Sequence, residues 1–190
     1  AEQGGYVNGV LAALMTRSGQ VGVTGPVEVG DAKTYIDGFV NGVNATRPDV
    51  RISQSWTQSF SDVAAMTAAA STHIANGADA LTGSSQSVVG SIGAAQEDCG
   101  VYWFGTQAEQ TDLAPELVVA SQVYDWTGML REIIANREAG ELGGQAYVLT
   151  FANDGLKMAF NPQIDIPADA MEAAEAAMDG IKSGEIEALP

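Results

Sequence analysis

The sequence predicts an α/β fold, a parallel sheet with helices on both faces, and three observations lead there. Short, continuously apolar runs recur at Val21–Thr24, Ala80–Thr82, Val101–Phe104 and Val118–Ala120, as expected of strands buried on both sides. Stretches of helical periodicity stand between them. Glycine is abundant, with 22 in 190 residues, and small residues let helices lie close on a sheet.

The elements follow in order. Tyr6 to Met15 carries apolar residues at spacings of three and four and reads as a mostly buried helix, stopped by Ser18-Gly19. Val21 to Thr24 is a strand, and Gly25-Pro26 turns it into a loop. Asp31 opens an amphipathic helix with Tyr35, Ile36, Phe39, Val40 and Val43 on one face, ended by Arg47-Pro48-Asp49. The cycle then repeats. Val50 to Trp56 is a strand, Thr57 to Ser61 a loop, and Asp62 caps a helix that runs to Asn76-Gly77. Ala80 to Thr82 is a strand, Gly83 to Ser87 a loop and Val88 to Asp98 a helix. Val101 to Phe104 and Val118 to Ala120 are further strands, separated by the polar loop Gly105 to Gln110.

After Val123 the pattern changes. Asp125 to Glu138 reads as a helix with Met129, Leu130, Ile133 and Ile134 turned inward. Tyr147–Thr150 and Lys157–Phe160 flank Asn153-Asp154-Gly155, a hairpin signal. Pro162 to Pro167 is a linker, and Ala168 to Ser183 an Ala-rich closing helix.

Charge and composition exclude several functions. With 24 Asp and Glu against 8 Lys and Arg, the net charge is −16. No basic stripe is present, so nucleic acid is not an expected partner. The single Cys99 precludes an internal disulfide, and the single His73 leaves little from which to build a zinc site or a Ser-His-Asp triad. Ser84, Ser85 and Ser87 have no histidine nearby in sequence. No catalytic residue, metal or cofactor is therefore assigned. No apolar run approaches the ~20 residues of a membrane span. The chain opens within what reads as a helix, so further sequence, an export signal included, is expected to precede it.

In parallel α/β sheets, small ligands bind beyond the carboxyl ends of the strands. That rule selects Gly25 to Gly30, Thr57 to Ser61, Gly83 to Ser87, Gly105 to Gln110 and Ser121 to Val123. Gly83-Ser84-Ser85 lacks the Lys and spacing of a phosphate loop. It suits hydroxyl or amide contacts with an uncharged ligand, or a plain tight turn. Phe60 stands among polar residues at a strand-to-helix junction, where an aromatic ring can stack on a base or sugar. Core packing is the other reading of Phe60, and the one preferred for Trp56 and Trp103, which lie within strands. The amides of the loop Thr106 to Gln110 can donate and accept together, as a purine edge requires, or can simply face solvent.

The runs Gly5-Tyr6-Val7-Asn8-Gly9-Val10-Leu11-Ala12-Ala13-Leu14-Met15, Gly19-Gln20-Val21-Gly22-Val23 and Tyr35-Ile36-Asp37-Gly38-Phe39 resemble the basic membrane protein family. These are PnrA-like lipoproteins, nucleoside-type binding components of ABC importers. Further matches are Gln58-Ser59-Phe60-Ser61-Asp62, Ala75-Asn76-Gly77-Ala78-Asp79, Leu113-Ala114-Pro115 and Gly180-Ile181-Lys182-Ser183-Gly184-Glu185-Ile186, so the likeness spans nearly the whole chain. It implies a periplasmic-binding-protein type I fold, with two Rossmann- or flavodoxin-like lobes. Residues 1–18 would form an inter-lobe helix and 19–122 the ligand-binding second lobe. Residues 123–162 would supply a crossover helix and a hairpin of an incomplete first lobe, and 163–190 a closing linker and helix.

The resemblance also implies a purine-like ligand, ABC permease and ATPase partners, an extracytoplasmic location, and membrane contact only through a lipid anchor outside these residues. By position, Phe60 matches the aromatic that stacks on a purine, and Ser84 and Ser85 match a small-residue loop near the sugar. Gln107 falls where an Asp usually holds ribose hydroxyls. Ala152 falls near a frequent Lys, with Asn153 and Asp154 keeping polar character. These departures point away from ribose and make a free nucleobase or another heterocycle a candidate beside a nucleoside. The expected ligand contacts are thus Phe60, Ser84, Ser85, Gln107, Asn153 and Asp154, with Gly25 and Pro26 on the first loop. Two other readings stand beside this receptor: a ligand-sensing regulatory domain of the same fold, and an α/β hydrolase or transferase.

Overall fold

The computed structural model describes residues 1–189. Its elements are six α-helices and six strands, α1 Glu2–Met15, β1 Gln20–Gly25, α2 Gly30–Thr46, β2 Arg51–Trp56, α3 Val63–Ala75, β3 Ala80–Gly83, α4 Val89–Gln96, β4 Tyr102–Gly105, β5 Val118–Tyr124, α5 Thr127–Glu138, β6 Leu156–Phe160 and α6 Ala168–Ser183, with one 3-10 turn at Thr111–Leu113 between β4 and β5. The strands form one sheet in the order β2-β1-β3-β4-β5-β6. The first five are parallel, and β6 runs antiparallel to β5.

Alternation along each strand sends side chains to two cores. Val21, Val23, Ala80, Phe104 and Val119 face α1, α2 and α6. Leu81, Trp103 and Val118 face α3 and α4, where Met66, Ala70 and Ile92 close the layer. On the first face, α1 and α2 interlock backbone to backbone. A Cβ on Gly5 or Gly9 would sit 2.2 Å from the carbonyl oxygens of Tyr35 and Phe39, and one on Gly42 would sit 2.1 Å from that of Tyr6. Only glycine fits these crossings. Helix α6 adds Ala170, Ala174, Ala177 and Ile181 at helical spacing to the same core and ends at Gly184, whose φ of 81° places it in the left-handed region.

Two expectations from the sequence fail. Tyr147–Thr150 forms no strand, and Lys157–Phe160 pairs with β5 in place of a hairpin partner. Strand β5 continues past its apolar run through Ser121, Gln122, Val123 and Tyr124, and offers an open edge that β6 fills residue for residue, Tyr124 opposite Leu156 and Ala120 opposite Phe160. The turn itself survives as a broad loop closed by the Leu156 N–H on the Thr150 carbonyl, 3.0 Å. The second failure is α5. It has no buried residue: Leu130 is 51% exposed, Ile134 57%, and Ile133 also faces outward. Its apolar stripe is where periodicity put it, but nothing among the described residues covers it.

Candidate functional site

Because the first five strands are parallel, their carboxyl ends share one edge of the sheet. The loops after Gly25, Trp56, Gly83, Gly105 and Tyr124 all emerge there. The loop before Leu156 arrives at the same edge because β6 is antiparallel. Every ligand residue expected from the sequence lies on one of these loops, save Gly25, which ends β1.

Phe60 lies on the loop between β2 and α3, and its side chain stands 45% exposed. The loop is fastened on all sides. The Thr57 N–H donates to the Gly25 carbonyl at 2.9 Å. The Ser59 hydroxyl accepts from the N–H groups of Ser61 and Asp62, both at 3.2 Å. The Asp62 carboxylate caps α3 through the Ala65 N–H at 2.9 Å. The Phe60 carbonyl accepts from Ser85 Oγ at 2.8 Å. Gln58 sits at φ 58°, a left-handed conformation that a non-glycine residue holds only when its surroundings fix it.

Ser84 and Ser85 are buried beneath this loop, and the Ser84 N–H reaches the Thr24 carbonyl at 3.3 Å. Gly25 is buried too. A Cβ there would meet the Trp56 ring at 2.4 Å, so its glycine identity serves packing; Pro26 is itself buried, and the exposed part of that loop begins at Glu28. Gln107 is exposed at φ 75°, and its carbonyl accepts from the Tyr124 N–H at 3.5 Å. Gln110, in the same loop, is withdrawn into the fold: its Oε1 accepts from Trp103 Nε1 at 2.7 Å and its Nε2 donates to the Thr106 carbonyl at 2.8 Å. The exposed part of this loop is therefore Gln107, Ala108 and Glu109.

Asn153 and Asp154 reach the same edge but open elsewhere. They line a cleft of about 590 Å³ with Asp125, Thr127 and Arg131, and that cleft includes none of the other expected residues. The Asn153 amide is largely spent on its own turn. Oδ1 accepts from the N–H groups of Thr150 and Gly155, and Nδ2 donates to the Val148 carbonyl at 2.7 Å. One N–H remains for any ligand.

Some residues at this edge escaped the sequence reading. Trp126 is 50% exposed and tilts against Tyr124, ring centroids 5.6 Å apart. The Tyr124 hydroxyl donates to the Asp31 carboxylate, which ties the start of α2 to the end of β5. Burial, then Asp31, pushes that phenol well above its ordinary value. Lys157 pairs with Asp125 at 2.6 Å; their hydrogen bond lowers the carboxyl's pKa far below the usual range and raises the lysine's. Tyr124-Asp125-Trp126 follows a strand at the ligand edge, so the rule that singled out Phe60 also points to Trp126.

Under the edge runs a buried polar chain. Asn8 Nδ2 donates to the Tyr35 hydroxyl and to the Gly105 carbonyl, each at 2.9 Å, and the Tyr35 and Thr82 hydroxyls meet at 2.9 Å. Burial pushes the Tyr35 phenol up to about 12. Among the described residues, no three His, Cys, Asp or Glu side chains gather closely enough to hold a metal ion. No helix among them is long and apolar enough to cross a membrane.

Residues 1–187 match the family described as ABC transporter substrate-binding protein PnrA-like. A purine-binding protein of Brucella abortus is 29% identical over 184 residues, which are 97% of this chain and 51% of that protein. Basic membrane protein A2 of Borrelia garinii is 28% identical over 127 residues, 66% of this chain and 38% of its own length. The chain thus spans about half the length or less of these relatives. Among solved structures, an ABC transporter solute-binding protein of Aeropyrum pernix superposes with a TM-score of 0.85 at 17% identity, over 98% of this chain and 64% of that one. One of Conexibacter woesei gives 0.80 at 22% identity, over 100% and 63%. At these identities the structures speak for the fold alone: the periplasmic-binding type expected from the sequence.

Proposed function

The chain belongs to the PnrA-like family of ABC transporter substrate-binding proteins, a family of binding proteins rather than enzymes, and we propose that its ligand is a purine nucleoside or nucleobase captured outside the cytoplasm. The observation that carries this reading is Phe60, a half-exposed ring held on a fastened loop at the ligand edge of a parallel sheet. A flat heterocycle stacks on such a ring at little ordering cost. The name of the Brucella relative, a purine-binding protein, supports the same ligand class. On this reading Gln107 addresses the polar edge of the ligand, and the exposed faces of Asp154 and Trp126 approach it from the far side of the edge. Delivery to an ABC permease and its ATPase, and tethering by a lipid anchor, belong to the same proposal.

The stripe on α5 supports the expected division of the chain: 19–122 carries one gripping surface, and the segment after Val123 reaches toward another lobe that would cover Leu130 and Ile134. Affinity follows from that division. Stacking contributes ~0.5–1.5 kcal/mol beyond area burial, and each neutral hydrogen bond ~0.5–1.5 kcal/mol net. Micromolar affinity needs about −8 kcal/mol, which one face of a clamp does not supply. Binding by these 190 residues alone is therefore expected to be weak.

Titration of the chain with adenine, guanosine and ribose, followed by amide chemical shifts, tests the proposal. The purine-bearing compounds are expected to bind and ribose alone not to. Phe60→Ala is expected to weaken purine binding about tenfold, the equivalent of the stacking term. Equal response to ribose and adenine, or an unchanged affinity in Phe60→Ala, would count against it.

A further inference from the structure

Serines at the start of a helix ordinarily cap it, yet those that precede α4 do not. The N-cap of α4 is Val88, and it makes no side-chain capping bond. Instead the two hydroxyls of the preceding loop turn toward another loop. Ser85 Oγ donates to the Phe60 carbonyl at 2.8 Å, and Ser87 Oγ reaches the same carbonyl at 3.3 Å. The two hydroxyls lie 2.9 Å apart, and the Ser87 N–H donates to Ser85 Oγ at 3.1 Å. Both serines are buried, and the first turns of α3 and α4 abut, with a Cβ on Gly90 falling 2.4 Å from the Val63 carbonyl.

A count of protons sharpens this. A serine hydroxyl has one proton to give. That of Ser85 is spent on Phe60, while its oxygen accepts from the Ser87 N–H and lies within reach of the Ser87 hydroxyl. Ser85 has no donor left for a ligand. Its hydroxyl is committed to the backbone of the residue whose ring is exposed.

We infer that Ser85 and Ser87 are positioning residues for Phe60: they fix its carbonyl, and so the plane its ring presents, rather than touching the ligand. The inference rests on the proposed stacking role of Phe60. It changes the role expected of Ser85 and adds Ser87, which the sequence did not single out as a ligand residue. A ring fixed before the ligand arrives loses little freedom on stacking; a ring on a released loop must be ordered at the moment of binding, and affinity falls though no ligand contact has been removed.

The test uses the 190-residue chain in four forms: unaltered, Ser85→Ala with Ser87→Ala, Phe60→Ala, and all three changes together, with Ser85→Thr as the conservative control. Two measurements are made, the carbonyl carbon shift of residue 60 in the forms that keep Phe60 and the affinity for adenine in all of them. Loss of both hydroxyls is expected to move the Phe60 carbonyl signal and speed amide exchange through residues 58–62, with a lowered melting temperature that stays above the temperature of the binding measurements. It is expected to weaken adenine binding nearly as much as Phe60→Ala, and the triple variant to bind no worse than Phe60→Ala alone. Ser85→Thr, which keeps the hydroxyl, should leave both readouts as in the unaltered chain. An unmoved carbonyl signal, or serine and phenylalanine losses that add in full, would overturn the inference, the second by showing a direct serine contact with the ligand. Should Phe60→Ala leave adenine binding intact, the stacking reading falls, and the carbonyl signal still decides whether the serines hold the loop.

Discussion

His73 shows how one buried side chain makes the fold sensitive to acid. It sits on α3 against the sheet, its Nδ1 within 2.7 Å of Ser53 Oγ and its Nε2 3.2 Å from the Val23 carbonyl. A carbonyl can only accept, so Nε2 carries the proton and Nδ1 accepts from the serine. Burial holds the imidazole's pKa below its ordinary value. The unfolded chain therefore takes up the proton first as pH falls. Stability is fully present above the ordinary histidine range and drains away as pH drops through it toward the lowered folded value. Urea unfolding at pH 7 and pH 5 is expected to show a loss for the unaltered chain that His73→Gln largely removes; equal losses in both would refute the assignment. At the same scale, the sequence exposed Phe60 but not how hydroxyls and amides are allocated. Ser85, Gln110 and Asn153 are residue types that fasten turns as readily as they hold ligands, and only the fold assigns each to its partner.

Among elements, the βα repeats were legible because each carries its own signal: a continuous apolar run, a turn, then a helical stripe. The Asp62 cap stands where residue type put it. The pairing of β6 was not legible. Its partner lies far back in sequence on the polar half of β5, and the alternation within Lys157–Phe160 does not say which edge it joins. The inward face expected of α5 failed for a related reason: periodicity defines a stripe but not what covers it. The crossing of α1 and α2 yields an element-level prediction. Gly9→Ala would drive a methyl into the Phe39 carbonyl, a backbone atom that cannot swing away. Overpacking of this kind costs about 1–3 kcal/mol. Chemical denaturation should register that loss, whereas Gly93→Ala, which meets nothing within 4 Å, should leave stability unchanged or raise it. Similar losses in both variants would mean that helix propensity, not the close crossing, governs these positions.

Over the whole molecule, the residues expected to meet a ligand lie toward the carboxyl end of the sheet, while turns at the opposite end carry structural bonds. There the Asp79 carboxylate accepts from the N–H groups of Arg17 and Ser18 at 2.9 Å each and from the Ser18 hydroxyl. The proposed contact lies at the carboxyl edge, and a probe spread over the entire chain can distinguish it from the opposite one. Amide shifts recorded during a titration with adenine locate the contact. The expected result is weak binding whose shifts fall on residues 57–62, 83–88 and 106–108 and spare Ser18, Asp79 and Gly100; shifts centred on those three, or binding as tight as micromolar by this chain alone, would contradict a receptor that grips from the carboxyl edge with one half of its surface.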